Sequence, residues 1–236
     1  LLMCSQYEIK IKTQNLATLL AKPIALNCSE HDYSSHVYPF APAPVIINPN
    51  QSRLELVLMD YSLIPHWSDS SKPKFATYNA RLDRPNTENG SLQKIYEVPT
   101  WRTPFKAQRC LVPMTAFFES CHSGSHAGNI VQFSQKDQQL LFAAGIYDKW
   151  VNPVSKQIIH SYAIITDQPT EFILSVGHDR QPVFLAPENH STWLNCKELP
   201  IDDAYNFLKL NQLAVEYQIA DFRALKTVDT KQASLF

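Results

Sequence analysis

Polar and apolar residues alternate one for one at several places along the chain, first in YEIKIK, which sets Tyr7, Ile9 and Ile11 on one face and Glu8, Lys10 and Lys12 on the other. A period of two marks a strand with one face buried. Six further runs, rich in β-branched and aromatic residues, read as strands: RLELVLM (53–59), RCLVPMTAFFE (109–119), NIVQF (129–133), LLFAAGIYDKW (140–150), HSYAIIT (160–166) and LAVEYQIA (213–220). Helical patterns are fewer: QNLATLLA (14–21), PTEFILSV (169–176) with proline at its start, NHSTWLN (189–195), and DDAYNFLKL (202–210) with an aspartate cap. The proline-rich HVYPFAPAPVIINP (36–49) reads as an ordered, extended wrap. Many strands and few helices predict an α+β fold on a mostly antiparallel mixed sheet.

At 236 residues and 44% hydrophobic, the chain is long enough for a substantial core. No linker, internal repeat or low-complexity segment divides it, so residues 1–225 are expected to form one domain, followed by a tail at 226–236. The five cysteines, Cys4, Cys28, Cys110, Cys121 and Cys196, include no CxxC pair, and no apolar run is long enough for a secretory core or a membrane span. A reduced, cytoplasmic setting is expected, with no membrane partner. A formal net charge of −1 gives no global basic signature, so nucleic acid would need a local patch. Residues 72–109 offer one, with eight basic residues against three acidic ones.

Four short stretches follow a Met3-Cys4 start in a fixed order: Asn79-Ala80-Arg81, the run RCLVPMTAFFE ending at Glu119, AGIYDKW (144–150), and His178-Asp179-Arg180-Gln181-Pro182. In that order and at those spacings, from Met3 to about Leu194, the chain resembles the SOS response-associated peptidase family. The resemblance implies a compact, partly barrel-like mixed sheet with a basic channel, and capture of abasic sites in single-stranded DNA by an N-terminal cysteine. Residues 1–3 would then be a leader whose removal frees Cys4. Catalytic roles fall on Cys4, Asn79, Glu119 and His178, and DNA contacts on Arg81, Arg84, Arg180, Lys74 and Trp67. Three departures bear on the DNA contacts: Ser5 and Gln6 follow Cys4 where the family usually has Gly-Arg, Ser120 follows Glu119 where tryptophan is usual, and Gln181 replaces a common methionine.

The implied chemistry suits these residue types. An α-amine with a pKa near ~7.7–8.0 condenses with the open-chain aldehyde of an abasic sugar, and the thiol on the same residue closes a five-membered thiazolidine intramolecularly. Sugar ring opening and loss of water need proton transfers, the work of His178 and Glu119. Asn79 would orient the amine and sugar, Arg81 would fork onto a phosphate, and Trp67 would stack on a base.

Plainer readings compete. Cys4 taken alone is a small packing residue, Glu119 a strand-end carboxylate facing water, His178 a satisfied core histidine, Trp67 core, and the basic stretch a solvated face. Function likewise divides three ways: abasic-site capture, a cysteine peptidase acting on the peptide before Cys4 or on other peptides, and a non-catalytic DNA-binding or clamp-recruited adaptor. Cys121, His122 and His126 in CHSGSH lack a fourth ligand at zinc spacing, so no metal and no other cofactor is expected. Finally, Gln232-Ala233-Ser234-Leu235-Phe236 resembles the pentapeptide that binds the bacterial sliding clamp, with Leu235 and Phe236 as apolar anchors and Gln232 at the rim. The expected partners are therefore single-stranded DNA bearing abasic sites and a sliding clamp, for a monomer that joins the nucleoid when bound to DNA.

Overall fold

The computed structural model describes residues 6–13, 15–16, 20, 23–49, 53–85, 90–137 and 140–225. Cys4 and the 226–236 tail, with Gln232, Leu235 and Phe236, lie outside them, as does most of the helical pattern at 14–21. In chain order the elements are β1 (Gln6–Glu8), β2 (Ile24–Leu26), β3 (His36–Val37), β4 (Pro42–Ile47), β5 (Leu54–Tyr61), β6 (Asn79–Arg81), β7 (Asp83–Pro85) and β8 (Leu92–Lys94). Then come α1 (Pro99–Ala107), β9 (Arg109–Met114), β10 (Ala116–Cys121), β11 (Asn129–Gln135), β12 (Leu141–Val151), β13 (Ile158–Asp167) and α2 (Glu171–Val176). The chain continues through β14 (Gln181–Pro182), α3 (Pro187–Leu194), α4 (Ile201–Leu210) and β15 (Tyr217–Ala224).

Strands β13, β12, β9, β4 and β5 are hydrogen-bonded in that order, and a parallel β5–β13 pairing at Ser161↔Asp60 and Tyr162↔Tyr61 closes the ring. The closed barrel adjoins a second sheet ordered β15-β11-β10-β1-β3. The expected α+β, mostly antiparallel, partly barrel-like fold is what the chain adopts. One run of sequence joins the two sheets. RCLVPMTAFFE, expected as a single strand, breaks at Thr115, whose amide and hydroxyl both bond the Glu8 carbonyl, so that β9 belongs to the barrel and β10 to the second sheet.

The barrel strands bury both faces, and the period of two sorts their side chains into separate cores. Cys110, Val112 and Met114 of β9, Leu141 and Ala143 of β12, and Tyr162 and Ile164 of β13 join Tyr7, Phe117 and Phe133 of the second sheet. The alternate residues Leu111, Phe142, Ala144, Ile146, Ala163 and Ile165 meet Phe105, Trp193 and Leu208 of the helices. Tyr7 on β1 is fully buried, its ring edge-on to Tyr61 and its hydroxyl on that of Tyr162, which ties the first described strand to the barrel.

Four expectations need correction. The proline-rich segment at 36–49 is no wrap, since β4 lies inside the barrel sheet between β5 and β9. The Ala41 carbonyl accepts from Tyr61, so Ala43, Val45 and Ile47 turn their backbone polar groups to β5, and Pro42 and Pro44 face β9, where the pairing is at Ile46↔Leu111 alone. Proline is tolerated there because no ladder bond is lost. Helix α1 was not anticipated: Pro99 starts it, Thr100, Trp101, Pro104 and Phe105 are buried, and the basic stretch is thereby divided. The helix expected from Asp202 begins at Ile201, with Pro200 as its cap residue and no side-chain cap. The last strand starts at Tyr217, because Leu213 instead bonds the Phe184 carbonyl and Val215 joins the first core.

Phe117 is fully buried between Phe133 and Tyr217 where the two sheets meet. Phe117→Ala should cost about 3–5 kcal/mol, read as a lowered midpoint in urea with an unchanged slope.

Candidate active site

Glu119 follows Phe117 on the same face of β10, so its carboxylate sits at the end of an apolar row, 1% exposed. A charge so placed needs a partner. His178 supplies it: Nε2 lies 3.0 Å from the Glu119 carboxylate, and Nδ1–H donates to the Ser120 carbonyl at 3.2 Å. Since a carbonyl only accepts, Nδ1 carries a proton, and Nε2 faces the Glu119 carboxylate at ion-pair distance. Burial by itself lowers the pKa of His178, but the hydrogen bond and charge of Glu119, with the Ser120 carbonyl, outweigh it and raise the imidazole above its ordinary value. The two form a buried acid–base couple.

A glycine lets the histidine reach. Helix α2, capped by the Thr170 hydroxyl, ends at Gly177 with φ 121, and the amides of Gly177 and His178 both return to the Ile173 carbonyl. A Cβ on Gly177 would stand 1.8 Å from the Ser123 carbonyl oxygen. The turn thus packs backbone to backbone on the loop after β10, and His178 falls beside Glu119.

Two other expected site residues, Asn79 and Arg81, lie on β6. Strand β6 runs parallel to β13, with Asn79 opposite Ile164 and Arg81 opposite Thr166, which puts Asn79 and Arg81 on one face. Asn79 is buried and Arg81 partly so. Strand β14 pairs with the same end of β13, at Thr166↔Pro182 and Asp167↔Gln181, and so delivers the 178–180 segment. Burial first and the Arg180 charge second lower the pKa of Arg81, while Asp179 opposes them, so these three charges share one neighbourhood. Arg180 donates from Nε to Asp179 at 3.3 Å, and its buried Nη1 has no hydrogen-bond partner. Asp179 also lies 3.8 Å from His178 Nε2.

The remaining candidates are more peripheral. Trp67 is 52% exposed rather than core, on a loop held by His66 to Asp148 and by the Trp150 indole N–H to the Ser68 carbonyl. Lys74 is exposed, and Arg84 on β7 is exposed and bonded to Gln93. Glu119 does not face water, contrary to the plainer reading of the sequence. Sequence reasoning assigned no role to Asp179, although it stands inside HDRQP, nor to Gly177 immediately before it. The Ser120 carbonyl had no signal, because a backbone acceptor leaves no trace in residue identity; for the same reason a serine in place of the usual tryptophan leaves the histidine's second hydrogen bond intact.

Of the CHSGSH donors, Cys121 is buried, with its thiol pushed up to about 11 by burial and then by Glu119, and His126 is edge-on to Phe222. Among the described residues no group of three histidine, cysteine or carboxylate side chains is placed to hold a metal ion, and no helix is long and apolar enough to cross a membrane.

A family model described as SOS response associated peptidase matches residues 3–222. The abasic site processing protein YoaM of Bacillus subtilis is 30% identical over 195 residues, covering 83% of this chain and 78% of its own. The abasic site processing protein YoqW of the same organism is 29% identical over 180 residues, 76% of this chain and 75% of its own. A crystal structure of a protein from Bacteroides thetaiotaomicron superposes with a TM-score of 0.69 at 23% identity, covering 95% of this chain and 93% of that one.

A histidine whose pKa is raised by folding adds stability that is fully present below its unfolded value of about 6.5 and is lost as pH rises through the folded value. The stability difference between wild type and Glu119→Gln should therefore be largest below about pH 6.5 and shrink at higher pH. An NMR titration of the His178 ring should show its midpoint falling in Glu119→Gln, where only the Ser120 carbonyl and Asp179 still oppose burial; an unmoved midpoint would contradict the pairing. Gly177→Ala should cost about 2–5 kcal/mol through positive φ and the Ser123 clash together, measured by urea denaturation.

Proposed function

The chain belongs to the SOS response-associated peptidase family, and from that membership we propose that it captures abasic sites in single-stranded DNA through Cys4, in a reaction whose protons pass through Glu119 and His178. The observation that carries the proposal is the placement of this pair beside the start of the described chain. Gln6 pairs with Phe118, next to Glu119, and Cys4 stands two residues before Gln6 in the sequence.

With residues 1–3 removed, the neutral α-amine of Cys4 adds to the C1′ aldehyde of the opened sugar. The carbinolamine loses its hydroxyl as water with a proton from the His178–Glu119 pair, the nitrogen returns its own proton to the pair, and an imine remains. The Cys4 sulfur then adds to the imine carbon, its proton ends on the ring nitrogen, and a thiazolidine forms without oxidant or reductant. The aldehyde that would drive strand-breaking elimination is consumed. Asn79 orients the sugar and amine, while Arg81 and Arg180 hold the flanking phosphates as donor forks. Arg84 and Lys74 extend the cationic track, and Trp67, half-exposed, stacks on an unpaired base.

The same groups bear on maturation. In maturation the Cys4 sulfur would add to the Met3 carbonyl and take its acyl group, the thiol proton passing through the histidine–glutamate pair to the freed nitrogen, and water would then release the leader as a carboxylic acid, which would account for the peptidase chemistry in the family's name. Residues 232–236 are proposed to recruit the protein to a sliding clamp, Leu235 and Phe236 filling an apolar pocket and Gln232 bonding at its edge.

The test is a denaturing gel of leader-free protein with single-stranded DNA carrying one abasic site. Wild type should give a retarded, heat-stable band. Cys4→Ser should give a band only after borohydride trapping, and Glu119→Gln should form the adduct roughly 10²-fold more slowly. An adduct from Cys4→Ser equal to wild type without borohydride would end the thiazolidine mechanism, and an unchanged rate in Glu119→Gln would remove the pair from it.

A further inference from the structure

The turn that joins β3 to β4 holds a residue in a conformation unsuited to its type. The Ala41 N–H returns to the Tyr38 carbonyl at 3.1 Å, which closes a four-residue turn with Pro39 and Phe40 at its centre. Proline at the first central position and positive φ at the second mark a type II turn, whose second position belongs to glycine. Here it is Phe40, at φ 69. A bulky side chain held there strains the backbone, and such strain persists where a particular side chain is needed in a particular place. The core is not what needs it, because Phe40 is 51% exposed.

Tyr38, at the start of the turn, is 45% exposed and ends a column of rings. Phe118 of β10 stacks on His36 with centroids 4.6 Å apart and 23° between planes, and His36 stacks on Tyr38 at 4.5 Å and 10°. The column is fixed at its middle: His36 Nε2 donates to the Gln6 side-chain oxygen at 3.2 Å, and the same oxygen accepts from Arg223 Nη2 at 3.3 Å. Burial first, then the Arg223 charge, lowers the His36 pKa, so the middle ring is neutral. A further flat ring on the outer side of Tyr38 would extend the column by one step.

The place of this turn identifies what the ring would be. Strand β3 pairs with β1 at Glu8↔His36 and Tyr7↔Val37, so following β1 back to Gln6, two residues after Cys4, leads to Tyr38. On its other side the turn is tied to the barrel by the Phe40 amide on the Tyr61 carbonyl, and the Tyr61 ring lies 6.1 Å from that of Tyr78, the residue before Asn79. The two exposed rings are thus linked to the strand that follows Cys4 and to the strand that carries Asn79 and Arg81. Arg223 adds a cation beside the column; Glu8 and Asp221, which share its groove, bond Lys10 and the Phe222 amide instead.

We propose that Tyr38 and Phe40 form a stacking platform for the unpaired base next to the abasic site, Tyr38 offering its open face and Phe40 standing beside it. An abasic nucleotide has no base of its own to stack, so its neighbour must hold the strand in place. Stacking reads the face of a base and not its edges, so the platform accepts any of the four. The assignment rests on the abasic-site reading.

Fluorescence anisotropy of the full chain with labelled single-stranded DNA carrying one tetrahydrofuran residue, an abasic analogue with no aldehyde to crosslink, tests it. Two companion strands also lack the base on the 5′ or on the 3′ side of that residue. Tyr38→Leu and Phe40→Gly should each bind the parent strand about tenfold more weakly than wild type. Removing one of the two flanking bases should weaken wild type about tenfold and leave both variants unchanged, which a merely structural role would not produce. Phe40→Gly should meanwhile keep or raise the urea midpoint, since glycine takes φ 69 without strain. Parent-strand affinity unchanged in the variants, or an equal loss on base removal in wild type and variants, would overturn the platform alone. Binding of the parent strand by wild type without an adduct at a true abasic site would sink the capture reading and leave the platform standing, and no binding by wild type would overturn both.

Discussion

A carboxylate that is 1% exposed at the end of an apolar strand face cannot be left to itself, and the way Glu119 is neutralised organises one side of this molecule. The imidazole that answers it comes from a segment 59 residues away in sequence, held at the right height by the Ser120 carbonyl and brought into range by a helix that stops at Gly177. Removing one member of such a pair strands the other, which typically costs about 3–5 kcal/mol, so the contact fixes β10, its loop and the α2–β14 segment as a unit. Because β14 then pairs with β13, and β13 carries β6, the positions of Asn79 and Arg81 follow from the same anchor.

Two buried charges sit on the β9–β10 run and meet opposite fates. Glu119 faces an ionisable partner at ion-pair distance. Arg109 cannot release a proton at any ordinary pH, so its burial is managed by dipoles and ring faces, leaving the positive charge uncancelled within the protein. The first arrangement suits moving protons. The second ties α1 to the segment before α4.

Much of the architecture was legible in the chain, for a physical reason: in strands buried on one or both faces, alternation and β-branching are written directly into residue identity. Leu54–Tyr61, Leu141–Val151 and Ile158–Asp167 lie within two residues of where their patterns put them. Closure of the barrel was not legible from alternation, since it depends on a two-residue parallel contact between β5 and β13. Pro42 and Pro44 misled because their missing donors matter only on the side facing β9, a property of neighbours and not of sequence. Helix α1 hid among prolines and basic residues whose apolar members, Trp101 and Phe105, gain meaning only against Trp193 and the barrel. At the site, the order of motifs named Glu119 and His178, but only the fold reveals that they touch.

The first described strand has a mechanical character that its length of three residues conceals. β1 lies between β10 and β3, antiparallel to both, with Tyr7 wholly buried and locked to Tyr162. Traction on the chain ahead of Gln6 runs along the strand axis, across hydrogen bonds that stand perpendicular to it, so they are strained together in shear and do not open one after another. A tether attached at that end would therefore pull against the whole sandwich of sheets at once, with Tyr7 as the rivet.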